Sequence, residues 1–107
     1  MSALLFKLIP NPTFWETAHL TVPGQATPVP VEFEFKHHTR EEMDAYWRAA
    51  KSGTDQENLA RLVQGWKGID KDFSQEHLAI LINQYPTAAK EIYTAFQKGQ
   101  LESRTKN

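Results

Sequence analysis

The chain has 107 residues, with 12 Lys and Arg against 13 Asp and Glu, and 40% of it is hydrophobic. That is the size of one domain able to bury its own core, and the near-neutral charge excludes nucleic-acid binding driven by counterion release. Cysteine is absent, which excludes disulfides, thiolate metal sites and a cysteine nucleophile and suits a reducing cytosol.

Leu4 to Ile9 reads as a short first strand or an extended arm, ended by Pro10 and Pro12. Its apolar run, Ala3-Leu4-Leu5-Phe6, is far too short to span a bilayer, and no signal-peptide pattern follows it. Phe14 to Val22 predicts a strand with Phe14, Ala18, Leu20 and Val22 on one face, interrupted by Glu16. After the Pro23-Gly24 turn, Val29 to Lys36 alternates strictly, with Val29, Val31, Phe33 and Phe35 on one side and Pro30, Glu32, Glu34 and Lys36 on the other. Pro30 lacks an amide hydrogen and places that end of the strand at an edge. The expected arrangement is an antiparallel hairpin, with a third strand supplied by the N-terminus if there is one.

At Thr39 the apolar period changes from two to about 3.6. Thr39-Arg40-Glu41-Glu42 is a capping box. The helix it starts carries Met43, Tyr46, Trp47 and Ala50 on one stripe and stops at Gly53. Thr54 or Asp55 caps a second helix with the stripe Leu59, Leu62, Val63 and Trp66. Ser74 caps a third, with Phe73 and Leu78 at staple positions and Leu78, Leu81, Ile82 and Tyr85 as its stripe. Tyr85 precedes a proline and leaves the helical region, and Pro86 suits the first turn of a fourth helix. That helix carries Ala89, Ile92, Tyr93 and Phe96 and stops at Gly99. The fold class is therefore α+β: a small antiparallel sheet of two or three strands followed by a four-helix C-terminal part. Residues 1–99 form the single domain and 100–107 a polar, frayed tail. Phe33, Phe35, Leu62, Leu78, Leu81, Ile82, Ile92 and Phe96 are the expected core.

No chemistry emerges from the side chains. His37-His38, His19 and His77 lie on separate elements, without the spacing of a zinc site. Asp70, Asp72 and Glu76 lack a calcium-loop pattern and read as acids beside a helix N-terminus. Glu32 and Glu34 share a strand face as a solvated face would. No nucleophile elbow and no phosphate-cradling loop is present. The expectation is a protein with no catalytic, metal or cofactor residue. Trp47 and Trp66 lie on helix stripes and are expected in the core. Trp15 points away from Phe14 and is the better surface aromatic. Trp15, Tyr46 and Tyr93 are the expected partner-binding residues, through a largely apolar contact.

The order of several short motifs resembles one family of small phage tail assembly chaperones. Phe6-Lys7-Leu8 with Pro10-Asn11-Pro12-Thr13-Phe14 looks like the family's opening, and Phe33-Glu34-Phe35-Lys36-His37-His38-Thr39 like its approach to the first helix. Trp66-Lys67-Gly68-Ile69-Asp70, Phe73-Ser74 and Tyr85-Pro86-Thr87-Ala88-Ala89 look like its C-terminal half. The resemblance implies a non-enzymatic protein that holds the long, helical tape-measure protein soluble while a phage tail forms and is absent from the finished particle. It implies action in the cytoplasm of the bacterial host, contact with the tape-measure protein and with other tail proteins, room for a homo-oligomer, and no nucleic-acid or membrane partner. A structural tail or neck component, a small hydrolase built on the strand carboxylates, and a helix-turn-helix regulator are the competing readings. Balanced charge and the lack of a basic recognition helix weigh against the last.

Overall fold

A computed structural model describes residues 5–102. Strand β1 (Thr13–Leu20) pairs antiparallel with β2 (Val29–Lys36) over its full length, from Thr13 opposite Lys36 to Leu20 opposite Val29. The third strand, β3 (Val63–Lys67), lies on the other side of β2, giving the order β1-β2-β3. Period-two alternation sends Ala18, Leu20, Val31, Phe33 and Phe35 inward, all buried, and leaves Trp15, Thr17, His19 and Glu32 outside. Glu16 is on the inner face at 9% exposure. Pro30 sits in the central strand, yet β3 ends at Lys67, opposite Glu32, so the proline lies beyond the third strand's reach. Gly68, at φ 93°, turns the chain away there, in backbone space that glycine enters without penalty.

The origin of β3 corrects the sequence expectation. Helix α1 (Arg40–Ala50) and the short α2 (Asp55–Ala60) form as expected, but α2 stops before Leu62. The next residues return to the sheet. Val63 pairs with Phe35 and Trp66 with Phe33, with a register shift between Glu34 and Phe35. That bulge absorbs one extra residue, so two inward side chains stand three apart instead of two. The spacing mimics one face of a helix, and Gly65 inside it would cost a helix about 1 kcal/mol. Among the described residues the N-terminus supplies no strand: residues 5–12 form an arm with a bend at Leu8-Ile9, whose Pro12 carbonyl accepts from the His37 amide at 2.9 Å, and Leu4 lies outside the described residues.

The starts of the first three helices follow their caps, whereas the last helix begins without a side-chain cap. Thr39 Oγ1 accepts from the Glu42 amide (3.1 Å) while Glu42 accepts from the Thr39 amide (2.8 Å). Thr54 and Glu57 repeat the arrangement at α2. Helix α3 (Gln75–Gln84) starts with the His77 amide donating to Ser74 Oγ at 3.0 Å. Tyr85 is extended, as its position before proline requires. Pro86 itself lies in the turn ahead of α4 (Ala88–Leu101) rather than in its first turn. Helix α4 passes through Gly99, correcting the expected stop. Gln100 is part of the fold: its side chain accepts from the His38 amide and donates to the His38 carbonyl, both at 3.0 Å. Of the expected frayed tail, residues 103–107 lie outside the described residues.

Helix α4 packs across β1 and closes one face of the sheet. Phe14, Phe35 and Phe96 meet with ring centroids 5.5 to 6.0 Å apart. Phe33 leads from them to Trp66 (6.2 Å) and on to Phe73 (5.2 Å), both edge-on. Six of the eight expected core residues are fully buried, while Leu81 and Ile82 are only partly so. Trp47 is corrected outright: it is 43% exposed, because Met43 and Tyr46 fill the narrow inner stripe of α1.

At the far end of β1, Glu91 of α4 accepts from the Thr21 amide (3.1 Å), the Thr21 hydroxyl and the Thr87 hydroxyl (3.1 Å). Partial burial acts to raise the Glu91 pKa, but these donors stabilise the charged form and hold it below its usual value of 4.5. A carboxylate with a depressed folded-state pKa adds stability above the unfolded value and loses it as pH falls through the folded one. Glu91→Gln should therefore lower the thermal midpoint at pH 7 by an amount worth less than about 1 kcal/mol. The difference from wild type should shrink as pH falls below about 4.5. A difference that stays constant from pH 7 to pH 3 would show that the charge contributes nothing to the clamp.

Candidate functional site

A groove of about 430 Å³ lies where the hairpin's turn end meets α3. Leu20, Val22, Val29 and Val31 form one wall, Trp66 and Ile69 the floor, and Ile80, Leu81 and Tyr85 of α3 the other wall. Asp70, Lys71, His77 and Gln84 set a polar rim. The groove follows from local sequence. Ser74 fixes where α3 begins, and Leu78 is its one fully buried residue. Leu81 and Ile82 are half-covered, and Ile80, off the inner stripe, is 50% exposed. The hairpin end adds Val29 at 36% exposure. A volume of this size, apolar with a few polar groups at the rim, suits a small set of apolar side chains from a partner.

A second cleft, of about 310 Å³, lies among α1, α2 and α4 and holds two of the expected partner residues. Tyr46 and Tyr93 stack with centroids 6.3 Å apart and ring planes 14° apart. The Trp47 indole donates to the Tyr93 hydroxyl at 3.2 Å. Tyr46 is only 6% exposed, so it supports Tyr93 and Trp47 from beneath. Its burial, and then the neighbouring Tyr93, push its hydroxyl pKa up to about 12. Tyr46 is thus a neutral packing group at any ordinary pH.

Trp15, the third expected residue, is on the opposite side of the molecule, on the sheet face that no helix covers. It is 37% exposed, with the Lys67 ammonium 4.3 Å from its ring centroid. Beside it, Glu34 accepts from the Thr13 hydroxyl at 2.9 Å and lies against Gly65, where an added Cβ would come within 3.0 Å of its carboxylate. The three expected residues therefore belong to two surfaces, and none lines the larger groove. The signal for that groove was Ile80, an apolar residue outside the buried stripe of its helix. Among the described residues, no cluster of three or more His, Asp or Glu is placed to hold a metal ion, and no helix is long and apolar enough to cross a membrane.

The sequence model of a family described as phage tail assembly chaperones matches residues 1–107, the whole chain. This chain belongs to that family. No curated protein and no solved structure matches it. For a tail assembly chaperone the relevant chemistry is contact with tail proteins, and both concavities offer apolar, aromatic-edged surface.

Proposed function

We propose that this tail assembly chaperone binds helical segments of the tape-measure protein, keeps them soluble in the host cytoplasm while the tail is built, and leaves before the particle is complete. The observation that carries the reading is the open apolar groove between the hairpin end and α3. An amphipathic client helix lays its apolar stripe into such a groove and is read by residues at i, i+3, i+4 and i+7. The α1–α4 cleft around Trp47 and Tyr93, and Trp15 on the open sheet face, are secondary contact points. Near-balanced charge gives little electrostatic steering, so binding should depend only weakly on salt. A modest interface suits a partner that must be released. The protein acts by covering surface, with no catalytic residue.

The test is co-expression of the tape-measure protein with wild-type chaperone or with Ile80→Asp, followed by sedimentation and pull-down. Ile80 is half-exposed, so the aspartate should leave the fold intact while placing a charge in the groove. Wild type should hold the client in the soluble fraction, and the variant should lose at least about tenfold of that binding, the worth of one well-packed apolar contact. Equal client solubility with wild type, with the variant and with neither would end the proposal. Recovery of the chaperone at fixed stoichiometry in purified particles would instead make it a structural tail protein.

A further inference from the structure

Strand β1 is an edge of the sheet: β2 takes one side of it, and no strand among the described residues takes the other. The Pro12 carbonyl accepts from the His37 amide, and bonded pairs alternate from there, so Phe14, Glu16, Ala18 and Leu20 turn their backbone groups toward β2. Thr13, Trp15, Thr17 and His19 turn theirs outward. Among the described residues no backbone group of these four has a hydrogen-bond partner on that side. The next outward amide, that of Thr21, is taken by Glu91, so α4 reaches the edge and closes its far end. Native sheets blunt an exposed edge with proline, lysine, a bulge or a short strand. Strand β1 runs eight residues in unbroken register, without proline or lysine. Its carboxylate, Glu16, is buried under Gly99 of α4 rather than set on the open edge.

Beside this edge lies a concavity of about 320 Å³, lined by Thr17 and His19 of β1 and by one flank of α4. That flank is a single stripe at helical spacing, Thr87, Lys90, Thr94 and Lys98, and all four are exposed. Among the described residues the one acid that lines the concavity is Glu91, already held by Thr21 and Thr87. An open strand edge beside a helix accepts an extended segment as an added strand: backbone bonds supply affinity, and alternate side chains enter the groove. Here those side chains would face Lys90 and Lys98. Charge decides the occupant. A second copy paired edge to edge would lay the stripe against itself, lysine against lysine, which is repulsive. The chain's own ends fit no better: residues 1–12 carry Lys7 and no acid, and residues 102–107 carry Glu102 against Arg104 and Lys106. We propose that β1 and α4 form a docking groove for an extended acidic segment of a partner protein. The segment adds a strand beside β1 and points alternate carboxylates at Lys90 and Lys98. This site is separate from the groove beside α3 and does not rest on the helical-client reading.

The test uses the purified chaperone, without tape-measure protein, and a blocked peptide of about seven residues alternating Glu and Val, long enough to span Thr13 to His19. By calorimetry the peptide should bind with a Kd of about 10–500 μM. Affinity should fall as salt rises, because the lysines are exposed. The amides of Thr13, Trp15, Thr17 and His19 should gain protection from hydrogen exchange on binding. Methylating the peptide amides that face β1 should weaken binding at least about tenfold, as the loss of a few backbone bonds requires. Lys90→Glu/Lys98→Glu, which alters only exposed side chains, should weaken the Glu peptide at least about tenfold and admit a Lys–Val peptide in its place. Failure of the Glu peptide to bind, protection that appears elsewhere, or an affinity that survives methylation or charge reversal would each overturn the proposal. Self-association of the chaperone through the same amides would make a second copy the occupant and would overturn it too. The methylated peptide needs only wild-type protein, so it decides the matter even if the charge-reversed variant does not fold.

Discussion

Phe96→Ala should remove about 3–5 kcal/mol from the unfolding free energy. Phe96 is fully buried, and its ring meets those of Phe35 (5.5 Å), His38 (5.7 Å), Phe14 (6.0 Å) and Tyr93 (6.1 Å). It therefore joins α4 to both long strands and to the segment that leads into α1. Truncation removes the transfer free energy of the ring and leaves a cavity that rigid neighbours cannot close. Phe14 is held by β1 and Phe35 by the central strand, so neither can swing in. A domain of this size has only about 5–15 kcal/mol in total, and the variant should be close to the limit of folding at 37 °C. Phe96→Leu, which keeps most of the volume, should lose less than half as much. Urea unfolding with an unchanged slope is the measurement. A loss below about 1 kcal/mol would show that α4 is anchored elsewhere.

Gly99→Ala should destabilise the protein by about 1–3 kcal/mol, although alanine is the better helix former. In an exposed helix the substitution would gain about 1 kcal/mol. Here a Cβ on residue 99 would stand 2.7 Å from one carbon of the Phe14 ring, closer still to its neighbour, and 3.2 Å from a Glu16 carboxylate oxygen. Phe35 and Phe96 flank the half-buried ring at 5.6 and 6.0 Å and limit how far it can give way. Either α4 lifts from β1 or Phe14 leaves its rotamer, and both give up core packing. The thermal midpoint should fall by roughly 4–8 °C for each kcal/mol in a domain of about this length. Phe14→Leu should relieve part of the clash, so the double variant should be more stable than the two single losses predict. A higher midpoint for Gly99→Ala would mean that propensity outweighs contact and that the helix stands off the sheet.

These two positions also show what could be read in the sequence and what could not. The alternation of Val31, Phe33 and Phe35 and the caps at Thr39, Thr54 and Ser74 were legible because each depends on neighbours a few residues away. Strand β3 was not, because its bulge puts Val63 and Trp66 at a helical spacing and only the partner strand reveals the difference. Gly99 sits where a stop signal would sit, yet its reason is Phe14, far away in sequence. Trp47 lay on the apolar stripe but outside the part of it that α1 buries. Tyr46 and Tyr93, expected as partner-binding residues, stack on each other from α1 and α4, while the groove beside α3 arises only where the hairpin end and α3 meet.

The cover of the first strand by the last helix also governs how the chain acquires its structure. The hairpin is local and forms on a timescale of about 1–10 μs once its residues are free. The part of its inner face around Phe14 and Phe35 lacks its cover until α4 arrives, and the bonds that fasten that helix join residues 70 and 62 apart in sequence. Contacts that span so much of the chain make folding slow relative to its local steps, and synthesis delivers them last. A nascent chain halted before residue 88 thus lacks the Phe96 ring that covers Phe14 and Phe35. Loss of the final helix leaves an aggregation-prone fragment, not a smaller working domain.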